Sequence, residues 1–186
     1  MRRIRIVLVL VALVVGCGTV TSLEPLSDSS DLVFEPALLG AWTDDSAETQ
    51  FIVTPAEANR YLIAMADAEG KTGRFVGALT RLNGRLVLDI TPEPLAVHVS
   101  DLYRDLLRPL HTFLFLDIVG EQLRVSIPHP DSVRSQLRLA PNLIAHTNAR
   151  DKLLLTASTR DLRAYLSAFA LRPGVIDTVG YWRRPR

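Results

Sequence analysis

The chain has 186 residues, 48% of them apolar and 22% charged, and one cysteine. That composition is too apolar for a disordered chain, the length suits one domain, and a lone cysteine excludes an internal disulfide framework. The formal charge of +1 hides an uneven distribution: without Arg2, Arg3 and Arg5, 18 basic residues face 20 acidic ones, a net of −2. A near-neutral body gives no basis for nucleic-acid or general polyanion binding.

Arg2, Arg3 and Arg5 form a basic start, and residues 6–15 form an apolar run. Ten apolar residues are too few for a bilayer core of about 30 Å but suit the central region of a secretory signal. The run ends in Val14-Val15-Gly16-Cys17, which resembles the lipobox of bacterial lipoproteins, with Val14 where Leu is usual and Val15 where a small residue is usual. The resemblance implies that residues 1–16 are removed as a signal peptide and that Cys17 is lipidated, since the thiolate is the nucleophile that takes up the acyl-bearing group. Two or three acyl chains make such an anchor stable. Gly18, rather than Asp, follows the cysteine, so the resemblance places the protein on the periplasmic side of the outer membrane rather than at the inner membrane. Residues 17–36 are rich in Ser, Thr, Asp and Pro. They read as a flexible tether spanning about 25 Å on average, with the domain at 37–186.

From residue 37 the signals are mainly those of β-structure. Short strand-like runs occur at 39–43, 50–53, 60–66, 73–82, 85–90, 110–119, 122–127 and 152–157. Asn83-Gly84 separates two of them, the strongest short-range hairpin signal, because both residues tolerate positive φ. Two or three helices are expected. Residues 100–108 are capped by Ser100 or Asp101 and stopped by Pro109. Residues 130–139 start on Pro130. The third follows Ser158, with Asp161 as a variant capping box and Leu162, Tyr165, Leu166 and Phe169 on one stripe. The expected fold is therefore mainly β: an antiparallel meander closing into a barrel, which removes its edges, with two or three short helices.

Gly40-Ala-Trp42 at the start of this meander resembles the first-strand motif of the lipocalins and related calycins. The resemblance implies a tryptophan closing the barrel base under an arginine from near the last strand, with Arg183 and Arg184, beside Trp182, as the candidates and Arg183 taken first. The alternative is that Trp42 is only a large core residue. Such a barrel holds one small ligand or is filled by side chains. Ile63, Met65, Leu79, Leu88, Phe113 and Phe115 would line the space in either case. His111 shares a strand face with Phe113, Phe115 and Asp117 and would be a polar group at the mouth, or a strand-end histidine hydrogen-bonded locally.

No catalytic set stands out. His98, His111, His129 and His146 lack metal-ligand spacing, with His129 read as a turn residue and His98 and His146 as loop residues. Asp89 and Asp117 read as solvent-facing acids near strand ends. Serine-nucleophile motifs, phosphate-binding glycine loops and dinucleotide fingerprints are missing, so no enzyme activity, cofactor or metal is expected. Two functions follow from the sequence. The first is an anchored envelope protein binding an apolar or amphipathic small molecule in its barrel. The second is an assembly or interaction protein with a filled barrel, docking an envelope partner through the insertion at 91–109, where Leu102, Tyr103, Leu106 and Leu107 interrupt the meander.

Overall fold

The computed structural model describes residues 19–94, 99–149, 152–170, 172 and 174–185. Eight strands form a closed antiparallel barrel: β2 (Gly40–Asp44), β3 (Gln50–Ala56), β4 (Arg60–Ala66), β5 (Thr72–Leu82), β6 (Arg85–Pro92), β7 (His111–Val119), β8 (Gln122–Pro128) and β11 (Ile176–Arg183). Each pairs with the next, and β11 closes the ring by pairing with both β8 and β2. The expected lipocalin-like meander is thus present. The eighth barrel strand, however, is 176–183, not 152–157.

The intervening segment packs outside the barrel. It comprises α2 (Pro130–Leu139), β9 (His146–Ala149), β10 (Lys152–Leu155) and α3 (Thr159–Ala170), with α1 (Asp101–Leu106) earlier, between β6 and β7. Local chemistry sets these elements. Asn83 and Gly84 both have positive φ, 49° and 80°, in the β5–β6 turn. At the start of α3, Asp161 N–H donates to Ser158 Oγ at 3.3 Å and Ser158 Oγ–H donates to the Asp161 carboxylate at 2.8 Å. His129 caps α2, its Nδ1 accepting from the amides of Asp131 and Ser132.

Two cores result. Inside the barrel, Trp42, Val53, Tyr61, Leu79, Leu88, Leu116 and Leu123 are buried in one cluster. Outside it, Val87, Phe113 and Phe115 of β6 and β7 pack against Leu137 of α2, Leu153 and Leu155 of β10, and Leu162, Leu166 and Phe169 of α3. Successive strand side chains point to opposite faces. A strand buried on both faces therefore carries an unbroken apolar run, as in Phe113-Leu-Phe-Leu116. Each fully buried Leu or Phe contributes about 1.5–3 kcal/mol.

Residues 19–36, expected to be a tether, pack on the folded body instead, the first part on the outer core and the part around Val33 and Phe34 on the barrel cluster. Val20 and Leu26 are buried in the outer core. The short strand β1 (Thr21–Ser22) runs antiparallel to the start of β7 and parallel to β10. Further along, Val33 N–H donates to Leu79 O at 2.8 Å, and the Phe34 ring stacks on Tyr61. Ser- and Pro-rich composition describes the average of the segment, whereas its few apolar side chains meet apolar ground that only the folded barrel provides.

Candidate functional site

The barrel base is the most fully built local site. A 3₁₀ turn at Pro36–Leu38 leads into β2, and Trp42 is buried with its indole N–H donating to Leu38 O at 2.9 Å. The arginine over its ring is Arg184, 4.4 Å from the ring, rather than Arg183. Arg184 also donates to Leu39 O at 2.5 Å and Ala37 O at 2.9 Å. Arg183 points the other way, toward the Asp45 carboxylate at 3.4 Å. Gly40 has φ of 109°, and a Cβ there would run into Nη1 of Arg184. Glycine, tryptophan and arginine thus form one clasp where β2 starts and β11 stops.

The residues expected to line a ligand space divide between the two cores. Leu79 and Leu88 are buried inside the barrel, and Ile63 packs partly buried against them. Met65 follows toward the end of β4 and is 37% exposed. Phe113 and Phe115 lie on the outer face of β7, in the core beneath the helices. The inward residues of β7 are Leu114, Leu116 and Ile118. An apolar run cannot tell one face from the other, and the face chosen by the aromatics follows from a second layer that the strand itself does not announce.

His111 shares that outer face. Its Nδ1 lies 2.8 Å from Asp89 Oδ1, and Asp89 Oδ2 accepts the Leu26 amide at 2.8 Å. Asp89 is buried, not solvent-facing. Asp117 does lie near solvent, accepting from Arg124. A carboxylate only accepts, so the His111–Asp89–Leu26 chain assigns the proton to Nδ1 and fastens the N-terminal segment over the end of β6. Ser22 is the strand partner of His111, but it is buried and its hydroxyl donates to Glu24 O at 2.9 Å. This is a structural fastening. His146, expected in a loop, is the first residue of β9, paired with Leu155, and its Nδ1 lies 2.9 Å from Ile144 O; His98 and Cys17 lie outside the described residues.

Two surface features remain. A groove of about 460 Å³ runs between α2, α3 and the loop at 142–145, floored by Ala164 and Ala168 and bounded by Gln136, Tyr165 and Arg172. Burial pushes the Tyr165 phenol up to about 12, with Arg172 opposing. The second feature is the insertion between β6 and β7. Ser100 Oγ accepts the Tyr103 amide at 3.2 Å and starts α1, and Pro109 follows its end. Leu102 is 71% exposed, Tyr103 54%, Leu106 74%, Leu107 53% and Leu110 40%. Five large apolar side chains within nine residues are far more than the scattered single exposures of an ordinary surface. Arg108, exposed, reaches toward Glu24 at 3.8 Å and ties the insertion to the N-terminal segment.

Among the described residues, no group of three or more His, Cys, Asp or Glu side chains is placed to hold a metal ion, and no helix is long and apolar enough to cross a membrane. No protein-family model matches the chain, and no curated protein or solved structure does.

Proposed function

We propose that this is a lipid-anchored protein of the bacterial cell envelope, held through Cys17 on the periplasmic side of the outer membrane. It works as a non-catalytic interaction module whose filled barrel carries a docking surface. One observation carries this reading: the insertion leaves Leu102, Tyr103, Leu106, Leu107 and Leu110 in water, while the barrel interior is packed with its own side chains. Leaving that much apolar surface uncovered lowers solubility and contributes nothing to the fold, which is the pattern of a surface covered in use. The packed interior weighs against the other expectation, an apolar ligand inside the barrel. Leu79 and Leu88 belong there to one buried cluster with Trp42, Tyr61, Leu116 and Leu123.

The anchor and the docking surface are tested separately. Cys17→Ser should abolish incorporation of labelled fatty acid and release the protein from membranes, and continued labelling would remove the anchor from the reading. For the surface, a photo-crosslinking residue at position 106 should give a discrete adduct in the native envelope. One at position 119, the exposed last residue of β7, should not. Absence of any adduct at 106 counts against docking.

A further inference from the structure

The geometry points to the outer edge of β9 as a docking site for an extended segment of a partner protein that carries acidic side chains at alternate positions. This docking place is separate from the 102–110 surface and does not depend on what covers it. β9 ends the sheet: it pairs with β10 on one side, and no described strand lies on the other. The register shows which main-chain groups that leaves unpaired. Thr156 N–H donates to Ala145 O at 2.9 Å, so these two residues face each other as a hydrogen-bonded pair. Such pairs alternate along an antiparallel ladder, which makes His146 with Leu155 and Asn148 with Leu153 the non-bonded ones. On β10 the consequence is visible, because Leu155 O and Leu153 O turn away from β9 and accept from Leu23 N–H and Thr21 Oγ1–H. On β9 the amides and carbonyls of His146 and Asn148 turn outward by the same rule. Two donors and two acceptors in strand geometry are the complement of another extended backbone.

The groups beside the edge set the side chains that such a backbone should carry. His146 and Asn148 share the sheet face that α2 covers, and with Arg134, Leu137, Arg138 and Leu153 they line a groove of about 190 Å³. Leu137 and Leu153 are buried and form its floor. The rim is cationic. Arg138 is exposed, donates to Ser135 Oγ at 2.9 Å and has no carboxylate within ion-pairing distance among the described residues. Arg134 shares the exposed Asp131 at 3.2 Å, and the groove lining itself includes no Asp or Glu. A strand added antiparallel to β9 places the residues opposite His146 and Asn148 on this same face, with the residue between them on the other. Those two positions are the ones that call for Asp or Glu. A second copy of this chain suits the edge less well, since pairing β9 with β9 would gather two sets of Arg134 and Arg138 on one face of the joined sheet.

The full chain is titrated into the fluorescein-labelled peptide Ser-Thr-Glu-Val-Glu-Thr-Ser, with anisotropy as the readout, and saturable binding is expected. N-methylation of either Glu removes an amide that would donate to β9, and affinity should fall about tenfold. N-methylation of the Val between them, whose N–H points away from β9, should change affinity less than about twofold. The isomer Ser-Thr-Glu-Glu-Val-Thr-Ser has the same charge but its acids on opposite faces, and it should bind severalfold more weakly. On the protein side, Asn148→Pro deletes an outward N–H with no internal partner, so the fold is kept and the peptide is lost. Arg138→Glu should reject the parent peptide and take the version with Lys at both Glu positions. The peptide series reads the same ladder without altering the protein. No saturable binding, an equal effect of N-methylation at all three positions, or undiminished binding by a folded Asn148→Pro chain would overturn the inference. Binding indifferent to residue order would mean adsorption to a basic surface only and would overturn it too. So would a dimer of the chain that Asn148→Pro abolishes, which would assign the edge to a second copy.

Discussion

Gly40 shows how much one residue can constrain. Its φ of 109° is open to glycine and strained for any residue with a Cβ, and Arg184 lies across the space that a Cβ would need. Gly40→Ala should therefore cost about 2 kcal/mol in chemical unfolding. Arg184 is the residue displaced, so Gly40→Ala combined with Arg184→Ala should cost less than the sum of the two. Arg184→Ala alone removes a ring contact and two hydrogen bonds to main-chain carbonyls, about 1–2 kcal/mol. Arg183→Ala, which breaks only an exposed ion pair, should change stability by less than about 0.5 kcal/mol. If the two arginines behave alike, the assignment of the clasp to Arg184 is wrong. The triplet Gly-x-Trp was legible in the sequence because its chemistry is local. Choosing between two adjacent arginines needed the strand register of β11, which alternation leaves ambiguous.

That register turns on an extra residue. The β11–β8 pairing shifts between Thr178 and Gly180, and the alternation of side chains reverses there. Ile176 consequently packs with the outer core and Trp182 with the inner one, although their spacing alone would put both on one face. Such a break is why 176–183 did not read as a strand, whereas 60–66 and 85–90, with clean alternation or an Asn-Gly turn beside them, did. The three helices were legible for the same local reason: Ser100, Pro130 and Ser158 each mark a start. The N-terminal segment was not, since its attachment is made by distant partners. Asp89 carries that attachment, and Asp89→Ala would leave the Leu26 amide and the His111 ring without their acceptor, at a cost of about 3 kcal/mol. Amide exchange at 20–26 should rise first, and a change spread evenly over the barrel would argue against the fastening. Tyr165 on α3 gives a pH signature. Its phenol is raised to about 12 by burial, so the neutral form is favoured in the folded state. The associated stability is complete below pH 10 and is lost as pH rises from 10 toward 12. Tyr165→Phe should flatten that alkaline decline in thermal melts, and an unchanged decline would place it elsewhere, with Tyr61, whose phenol burial also raises, as the first alternative.

At the scale of the whole molecule, one strand decides whether the barrel exists. β11 supplies the partner for two otherwise open edges, those of β2 and β8. A chain stopped before residue 176 should lose cooperative unfolding and aggregate, because both edges would template pairing with other chains. Soluble, cooperatively melting protein from that truncation would show that the outer layer suffices. The pairing of Trp182 with Asp44 joins positions far apart in the chain, while every other neighbour in the ring is joined by a hairpin or by the insertion that carries α1, except β8 and β11, which are bridged by the outer layer. Hairpins form in microseconds, but ring closure has to wait for a long loop to be ordered, so the kinetics should be slow and dominated by this single step. A polypeptide emerging in order from a ribosome or a translocation pore would accordingly stay an unsealed ribbon through most of its synthesis, free to be threaded, and would snap shut only once residue 176 and its successors had cleared.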